Sequence, residues 1–314
     1  MDIGIAILSG DYGLAPPALG RAVEQRGFES LFYAEHTHIP VASTRSDGRP
    51  MRDYAETYDP FVALSAVAAV TTTLALGTAV CLVTERDPIV TAKAVSSLDR
   101  LSGGRLLFGV GAGWNREELA NHGTDPGTRM ALLADRVQAM RRIWTDDEAE
   151  HHGRFVDFDP IWSWPKPVQR PHPPVLVGGN GPGAEDRVLA FGDAWLPQCG
   201  PLDSVEELER RVAALRRRAA DAGRGSIPVT LVRGHPRPRH AGRLRRGRRR
   251  PLPAPPASRG RGRAAGHPGR LGPAGPDPAR LSLPSSRRQR AGHALPWSAM
   301  NLRRAAPTLG PWSR

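Results

Sequence analysis

The sequence predicts an α/β protein, a (β/α)8 TIM barrel that is incomplete because strand eight is missing, followed by a disordered Arg/Pro/Gly-rich C-terminal tail. Three observations predict it. Residues 74–114 read LALGTAVCLVTERDPIVTAKAVSSLDRLSGGRLLFGVGAGW. An apolar run passes into a helical pattern, Ser102-Gly103-Gly104 breaks it, and a second apolar run ends at Gly111-Ala112-Gly113. That is a strand–helix–strand unit of parallel type, because strands covered on both faces read as continuous apolar runs. The same alternation then extends to residue 232. Beyond that point the composition changes abruptly.

The elements follow in order. Residues 3–8 form a first strand, and 15–26 an amphipathic helix closed by Gly27. A second strand, 30–34, ends at Glu35-His36. The polar loop 37–57 is a candidate substrate lid. Helix 60–70, strand 74–83, helix 88–101 and strand 105–110 come next. Helix 128–144 carries Met130, Leu133, Val137, Met140 and Trp144 on one face. Residues 155–174 read as an extended insertion with Trp162 and Trp164. Strand 175–177, a helix through Ala190, strand 194–197, helix 205–222 and strand 228–232 complete the pattern. Seven strands alternating with helices are seven parts of an eightfold barrel.

The chain has 314 residues and a net charge of +13. Residues 233–314 hold 20 Arg, no Lys and a single acid, Asp277, for a net +19, which leaves −6 for residues 1–232. The basic character therefore belongs to the tail alone. With 14 Pro, 11 Gly and no Val, Ile, Phe, Tyr or Glu, the tail lacks the apolar area needed to offset its ordering entropy. Two domains are expected: a barrel at 1–232 and a disordered basic tail at 233–314. The tail reads either as a nucleic-acid-binding arm or as the product of a shifted reading frame, and the frameshift is preferred. Back-translation with free codon choice and a one-base shift yields a string containing VDRCLLPL between two amphipathic helices, where strand eight is needed.

Other classes are set aside. Cys81 and Cys199 lie in apolar runs and read as buried free thiols, so no disulfide framework is expected. Residues 60–84 carry no charge, but Ser65, Thr71-Thr72-Thr73, Gly77 and Thr78 interrupt them, so they read as a buried helix and a strand rather than a membrane span. No basic leader precedes the first strand, and a cytoplasmic protein is expected.

Candidate chemistry gathers at strand ends. Glu35-His36 follows strand two, on the face where barrel enzymes carry their catalytic groups. An imidazole there can move a proton near neutral pH, and a neighbouring carboxylate can fix its tautomer. The alternative is a surface histidine beside a solvated acid. His38 is a weaker candidate. Gly178-Gly179-Asn180-Gly181 joins a strand to a helix and offers free N–H groups to an anion, unless it is an ordinary glycine turn. It lacks the Lys-Ser/Thr ending of a nucleotide P-loop. Ala79-Val80 could form a shelf behind a flat ring or be plain strand core. Gly111 and Gly113 flank the end of strand four, where Trp114 and Asn115 face the same mouth. His151-His152 reads as a solvated loop, since adjacent side chains diverge and no partner has ligand spacing; no metal site is expected.

The segments SLFYAEH (30–36), LALGTAV (74–80), DPIVTAKAVSSLDRLSGGRLLFGVGAGW (87–114) and KPVQRPHPPVLVGGNG (166–181) resemble the luciferase-like monooxygenase superfamily, and more narrowly its coenzyme F-420-dependent (deazaflavin) oxidoreductases. The LDRLSGGR block is the most specific part. The resemblance covers 1–232 and has no counterpart in the tail. It implies a strand-three bulge at Ala79-Val80, often with a non-prolyl cis peptide, that buttresses a ring. It also implies phosphate binding at Gly178, Gly179, Asn180 and Gly181 and catalysis by His36 with Glu35, while Gly111 and Gly113 are expected as further cofactor contacts from their place at the end of strand four. The implied activity is a flavin- or deazaflavin-dependent oxidoreductase or monooxygenase acting on a small organic substrate. The cofactor would be coenzyme F-420, with FMN as the alternative. The sugar-phosphate dehydrogenases of the superfamily place a Glu after the strand-four glycines, where this chain has Trp114, so their substrate does not transfer. No specific nucleic acid or membrane partner is expected, and a homodimer is allowed for. The competing readings are a nucleic-acid-binding protein acting through its Arg-rich tail, and an inactive remnant of a frameshifted gene.

Overall fold

The computed structural model describes residues 2–8, 13–44, 48, 50–199 and 205–233. The expectations for the tail at 233–314, its disorder, shifted frame and nucleic-acid binding, lie outside the described residues except at Arg233, which ends the last strand.

The fold is a curled parallel sheet with helices on its outer face. Strands β1 (Gly4–Ile7), β2 (Ser30–Tyr33) and β3 (Ala75–Thr78) pair in parallel in that order. Helices α1 (Pro16–Gln25), α2 (Arg52–Ala55) and α3 (Pro60–Ala68) lie between them in the chain. The third strand does not run unbroken over 74–83 as expected. The Ala79–Val80 peptide bond is cis, and the chain resumes as β4 (Cys81–Leu82). A single 3-10 turn (Val83–Glu85) then leads to α4 (Pro88–Leu101). β5 (Leu106–Gly111) pairs with β3 through its first half and with β4 through its second. After α5 (Arg116–Asn121) and α6 (Arg129–Thr145) come β6 (Ala149–His152) and β7 (Asp157–Ile161), then β8 (Val175–Gly178) beside β5. α7 (Ala184–Phe191), β9 (Ala194–Leu196), β10 (Gln198–Cys199), α8 (Val205–Asp221) and β11 (Val232–Arg233) complete it. β9 lies beside β8, Trp195 bridges to Val229, and β10 pairs with β11, so a seventh strand position runs in parallel along this edge. The order is that of a TIM barrel, with no eighth strand among the described residues.

Strand alternation divides the core. Leu31, Tyr33, Leu76, Phe108, Val110, Val175, Val177 and Trp195 point outward into a large cluster with the helices. Phe32, Leu176, Ala194 and Leu196 point inward and form a smaller cluster with Ala79, Val80, Leu107 and Val232. Outward side chains meet α3, α4 and α6, whose starts are set by local caps. The Asp59 carboxylate accepts from the N–H groups of Phe61 and Val62, and Asp87 accepts from Val90, with Pro60 and Pro88 at the first helical positions.

The LDRLSGGR block is explained by two polar residues, the buried Asp99 and the half-buried Arg105. Asp99 accepts hydrogen bonds from the N–H groups of Val168 and Gln169 and from the Gln169 amide, at 2.7 to 3.0 Å. Arg105 donates to the carbonyls of Ala68, Thr71, Leu74 and Ser102. Together they tie the loop before β8 to α4 and close the gap between α3 and β5.

Two expectations change in the insertion. Part of residues 155–174 is not merely extended: β6 and β7 form an antiparallel hairpin. His151 is not a solvated loop residue either. Its Nε2 lies 2.7 Å from Asp135 Oδ1, and Asp135 also accepts from the N–H groups of Phe155 and Val156, pinning the hairpin to α6. Trp162 and Trp164 in this segment are 77% and 57% exposed. No helix among the described residues is long and apolar enough to cross a membrane.

Candidate active site at the strand ends

His36 continues the inward alternation of β2, in phase with Phe32, and is 8% exposed. Its main chain is clamped by Thr57, whose hydroxyl accepts from the His36 N–H at 3.3 Å and donates to its carbonyl at 2.8 Å. Its Nδ1 lies 2.7 Å from Glu118 Oε2 on α5. The other ring nitrogen, Nε2, has no hydrogen-bond partner among the described residues. Tyr54 of α2 and Trp114 stand edge-on to the imidazole, each at 5.4 Å between centroids, and 5.8 Å from one another. Three rings thus wall one side of the site, and one of them, Tyr54, comes from the loop expected to act as a lid.

Glu118 is fully buried and densely solvated by the protein. Oε1 accepts from Thr37 N–H at 2.9 Å, Thr37 Oγ1 at 3.2 Å and His38 N–H at 3.4 Å, and Oε2 faces His36. Burial opposes its charge, but hydrogen bonds from His36, Thr37 and His38 outweigh that and hold the carboxyl below the usual range. Asn115 caps α5 by accepting from the N–H groups of Glu117 and Glu118, so the helix start delivers Glu118 to His36. With an ionised Glu118 on Nδ1–H, Nε2 carries the lone pair of the neutral ring or the mobile proton of the charged one.

Glu35, the sequence neighbour, faces the other way. Its Oε2 accepts from Leu82 N–H at 2.7 Å, and its Oε1 pairs with Arg86, which also bridges to Asp59. The carboxylate that orients His36 is Glu118, and Glu35 instead fastens the segment after the bulge to the end of β2. Successive side chains of a strand point to opposite faces, which is why adjacent residues could not form this pair.

Ala79, Val80, Gly111 and Gly178 are brought together. A Cβ on Gly111 would collide with Val80 Cγ2, and one on Gly178 would lie 2.7 Å from Val80 Cγ1. Val80 therefore lies across the ends of β5 and β8 as a low apolar step, only because those two positions have no side chain. Gly113 has φ +72°, and a Cβ there would lie 3.1 Å from Glu85 Oε1 and 3.3 Å from Leu119 Cδ2 rather than against Val80.

Gly179, Asn180 and Gly181 form a second feature. Gly179 has φ +109°, and a Cβ at Gly179 or Gly181 would meet nothing within 4 Å. The N–H groups of Asn180, Gly181 and Gly183 have no acceptor among the described residues. Asn180 is held by its side chain, whose Oδ1 accepts from Gln198 N–H at 2.9 Å and whose amide donates to the Gln198 carbonyl. Arg211 of α8 donates to the Asn180 carbonyl at 2.9 Å while its Nε pairs with Glu185 Oε1 at 2.6 Å, which holds the turn against α8. The glycine step, the open turn and the unspent N–H groups fit a flat ring with a phosphate-bearing chain. Among the described residues no cluster of three His, Cys, Asp or Glu could hold a metal ion.

The family model of the luciferase-like monooxygenases matches residues 17–241. The chain belongs to that family. Among its relatives, the uncharacterized protein Rv0953c of Mycobacterium tuberculosis (strain ATCC 25618 / H37Rv) is 42% identical over 239 residues, 74% of this chain and 83% of its own length. The FMNH(2)-dependent dimethylsulfone monooxygenase of Pseudomonas putida is 32% identical over 140 residues, 44% of this chain and 38% of its own. The monooxygenase RslO1 from Streptomyces bottropensis superposes with a TM-score of 0.60 at 25% identity, covering 73% of this chain and 70% of the other. The coenzyme F420-dependent tetrahydromethanopterin reductase of Methanopyrus kandleri shares the fold, with a TM-score of 0.57 at 19% identity over 73% and 65% of the two chains.

In this luciferase-like protein the site residues that sequence reasoning missed are Glu118 and Tyr54. Asn115 followed three residues later by Glu118 is a helix-start signature and marks the beginning of α5. Nothing local marks its reach to His36, which spans 82 positions.

Proposed function

We propose that this chain is a flavin- or deazaflavin-dependent oxidoreductase of the monooxygenase class acting on a small organic substrate, with coenzyme F-420 the first candidate cofactor and FMN the second. The observation that carries the reading is the placement of His36, backed by Glu118, at the same strand ends as the Val80 step and the Gly178–Gly181 turn. Family membership supports it, as does the naming of an FMNH(2)-dependent monooxygenase among the relatives.

Ala79, Val80, Gly111 and Gly178 would hold the ring, and the N–H groups of Asn180, Gly181 and Gly183 would hold its phosphate. Once bound, such a cofactor supplies the hydride, or the electrons for O2, that side chains lack. The chain's own part is placement and proton transfer. His36 Nε2, the ring nitrogen that Glu118 does not hold, would give or take the proton that accompanies the redox step. Glu118 keeps the proton on Nδ1 and stabilises the charged ring. Trp114 and Tyr54 exclude water from one side of the imidazole and offer apolar faces to the substrate.

Substituting His36→Ala tests the role. Cofactor affinity should remain within about threefold, while turnover falls roughly 100-fold or more, the scale of a lost general acid–base. Turnover within threefold of the parent would remove His36 from the chemistry.

A further inference from the structure

One buried acid has no place in the chemistry above. Glu85 ends the 3-10 turn after the bulge, its side chain is fully buried, and neither of its oxygens has a hydrogen-bond partner. A buried carboxylate left without donors is costly, and so is a neutral carboxyl with an idle proton. The groups around it decide which form it takes. From α5 comes Glu118, already an acceptor of four donors. His122, just after α5, has Nε2 at 3.8 Å from Glu85 Oε2, but it sits 2.7 Å from Thr37 Oγ1. His38 also leans on Thr37 Oγ1, at 2.9 Å. Glu35 lies behind the bulge, neutralised by Arg86. Arg136 of α6 donates to the Val83 carbonyl.

Glu118 is among the groups that act on the Glu85 carboxyl, and two carboxyls can hydrogen-bond to one another only through a proton on one of them. Glu118 is held ionised by its four donors, so the proton belongs on Glu85. We propose that Glu85 is a positioning residue for the proton transfer at His36: as the neutral acid it shares its proton with Glu118, and its ionisation adds a second negative charge behind the imidazole. In the neutral state Glu118 is partly satisfied by Glu85 and pulls less on the His36 Nδ1 proton. In the ionised state the imidazole faces two negative charges and binds its proton more tightly. Burial, together with the charges of Glu118 and Glu35, pushes the Glu85 carboxyl up to about 8, so the change falls just above neutrality. Exposed at 28%, the His122 side chain lies between Glu85 and solvent and gives the proton a way out. The consequence for the enzyme rests on the proposed role of His36; the coupling itself does not.

The test uses the full chain without cofactor, with histidine ring nitrogens labelled for NMR and carboxyl groups followed by infrared spectroscopy. The parent should show a protonated-carboxyl band that disappears as pH rises through about 8, and the His36 ring shifts should inflect over the same range. Glu85→Gln keeps the shape and the donor but cannot ionise. It should lack both the band and the inflection near pH 8. Glu85→Asp should restore both. A parent without a protonated-carboxyl band at neutral pH would overturn the proposal, as would identical His36 titrations in the parent and Glu85→Gln. Because no cofactor or turnover enters, inactivity of the enzyme would count against the function proposed above and not against this coupling.

Discussion

The two faces of the curled sheet are made by the same strands and differ in almost every other respect. The outer face is built of large side chains excluded from water: Leu31, Leu76, Phe108, Val110, Val175, Val177 and Trp195 are all at or near 0% exposure. At the C-terminal strand ends, the inner face is built of small residues, with Gly111 and Gly178 beneath Val80 and polar groups beyond them. Packing on the outer face supplies stability, since each large side chain contributes on the order of 2 kcal/mol by burial. The inner face gives up that stability to leave room for a ligand. A sheet of one chemistry throughout could not do both.

The largest expected effect breaks the outer face. Phe108 packs between Phe61 and Trp144, at 6.4 and 5.8 Å between ring centroids. Phe108→Ala should lower unfolding stability by about 3–5 kcal/mol in a urea titration, with cofactor affinity per folded molecule nearly unchanged. A loss under about 1 kcal/mol would mean that this face is not the structural core.

A smaller effect should appear on the inner side. Gly181 has open space at its Cβ position, so a side chain fits there without collision. Gly181→Asp should leave the melting temperature within a few degrees of the parent but weaken cofactor binding by about 2 kcal/mol, because it puts a negative charge where a phosphate is expected. Unchanged affinity would place the phosphate elsewhere. Gly179 is the poorer probe, because its φ of +109° would strain any replacement.

A pH-dependent effect sharpens the contrast further. Glu85 unfolded releases its proton above about 4.5, and folded keeps it to about 8. Between those values the unfolded state holds fewer protons, so stability falls as pH rises. The limiting slope for one group is about 1.4 kcal/mol per pH unit. Glu85→Gln should therefore gain stability over the parent progressively between pH 5 and 8, read from urea melts at each pH. Parallel stability curves for the two proteins would contradict a protonated Glu85.

Most strand and helix positions were legible because burial on both faces leaves long apolar runs, and Asp59 and Asp87 cap the helices expected at 60 and 88; α5 was not, because Asn115 read as a residue at the mouth and not as the cap of a six-residue helix. The hairpin of β6 and β7 was not. Residues 149–161 mix polar and apolar side chains without a clean alternation and lie partly at the surface, and His151 meets Asp135 on α6, 16 positions away. The candidate site was legible where it depends on backbone: glycines at strand ends and a histidine after β2. It was illegible where it depends on contacts across the chain. His36 and Glu118 meet over 82 positions, and the adjacent Glu35 points to the opposite face. The break in the third strand at Ala79-Val80 was implied by family resemblance alone, since its residues read locally as ordinary strand.

The central claim is that the inner face at the strand ends holds a flavin-type ring. The direct measurement is an absorbance and fluorescence titration of the parent chain with reduced and oxidised coenzyme F-420 and, separately, with FMN, on protein that melts cooperatively. Saturable binding of one of them at about one per chain, weakened in Gly181→Asp, is the predicted result. A cooperatively folded protein whose addition alters neither cofactor's spectrum at any concentration would contradict it.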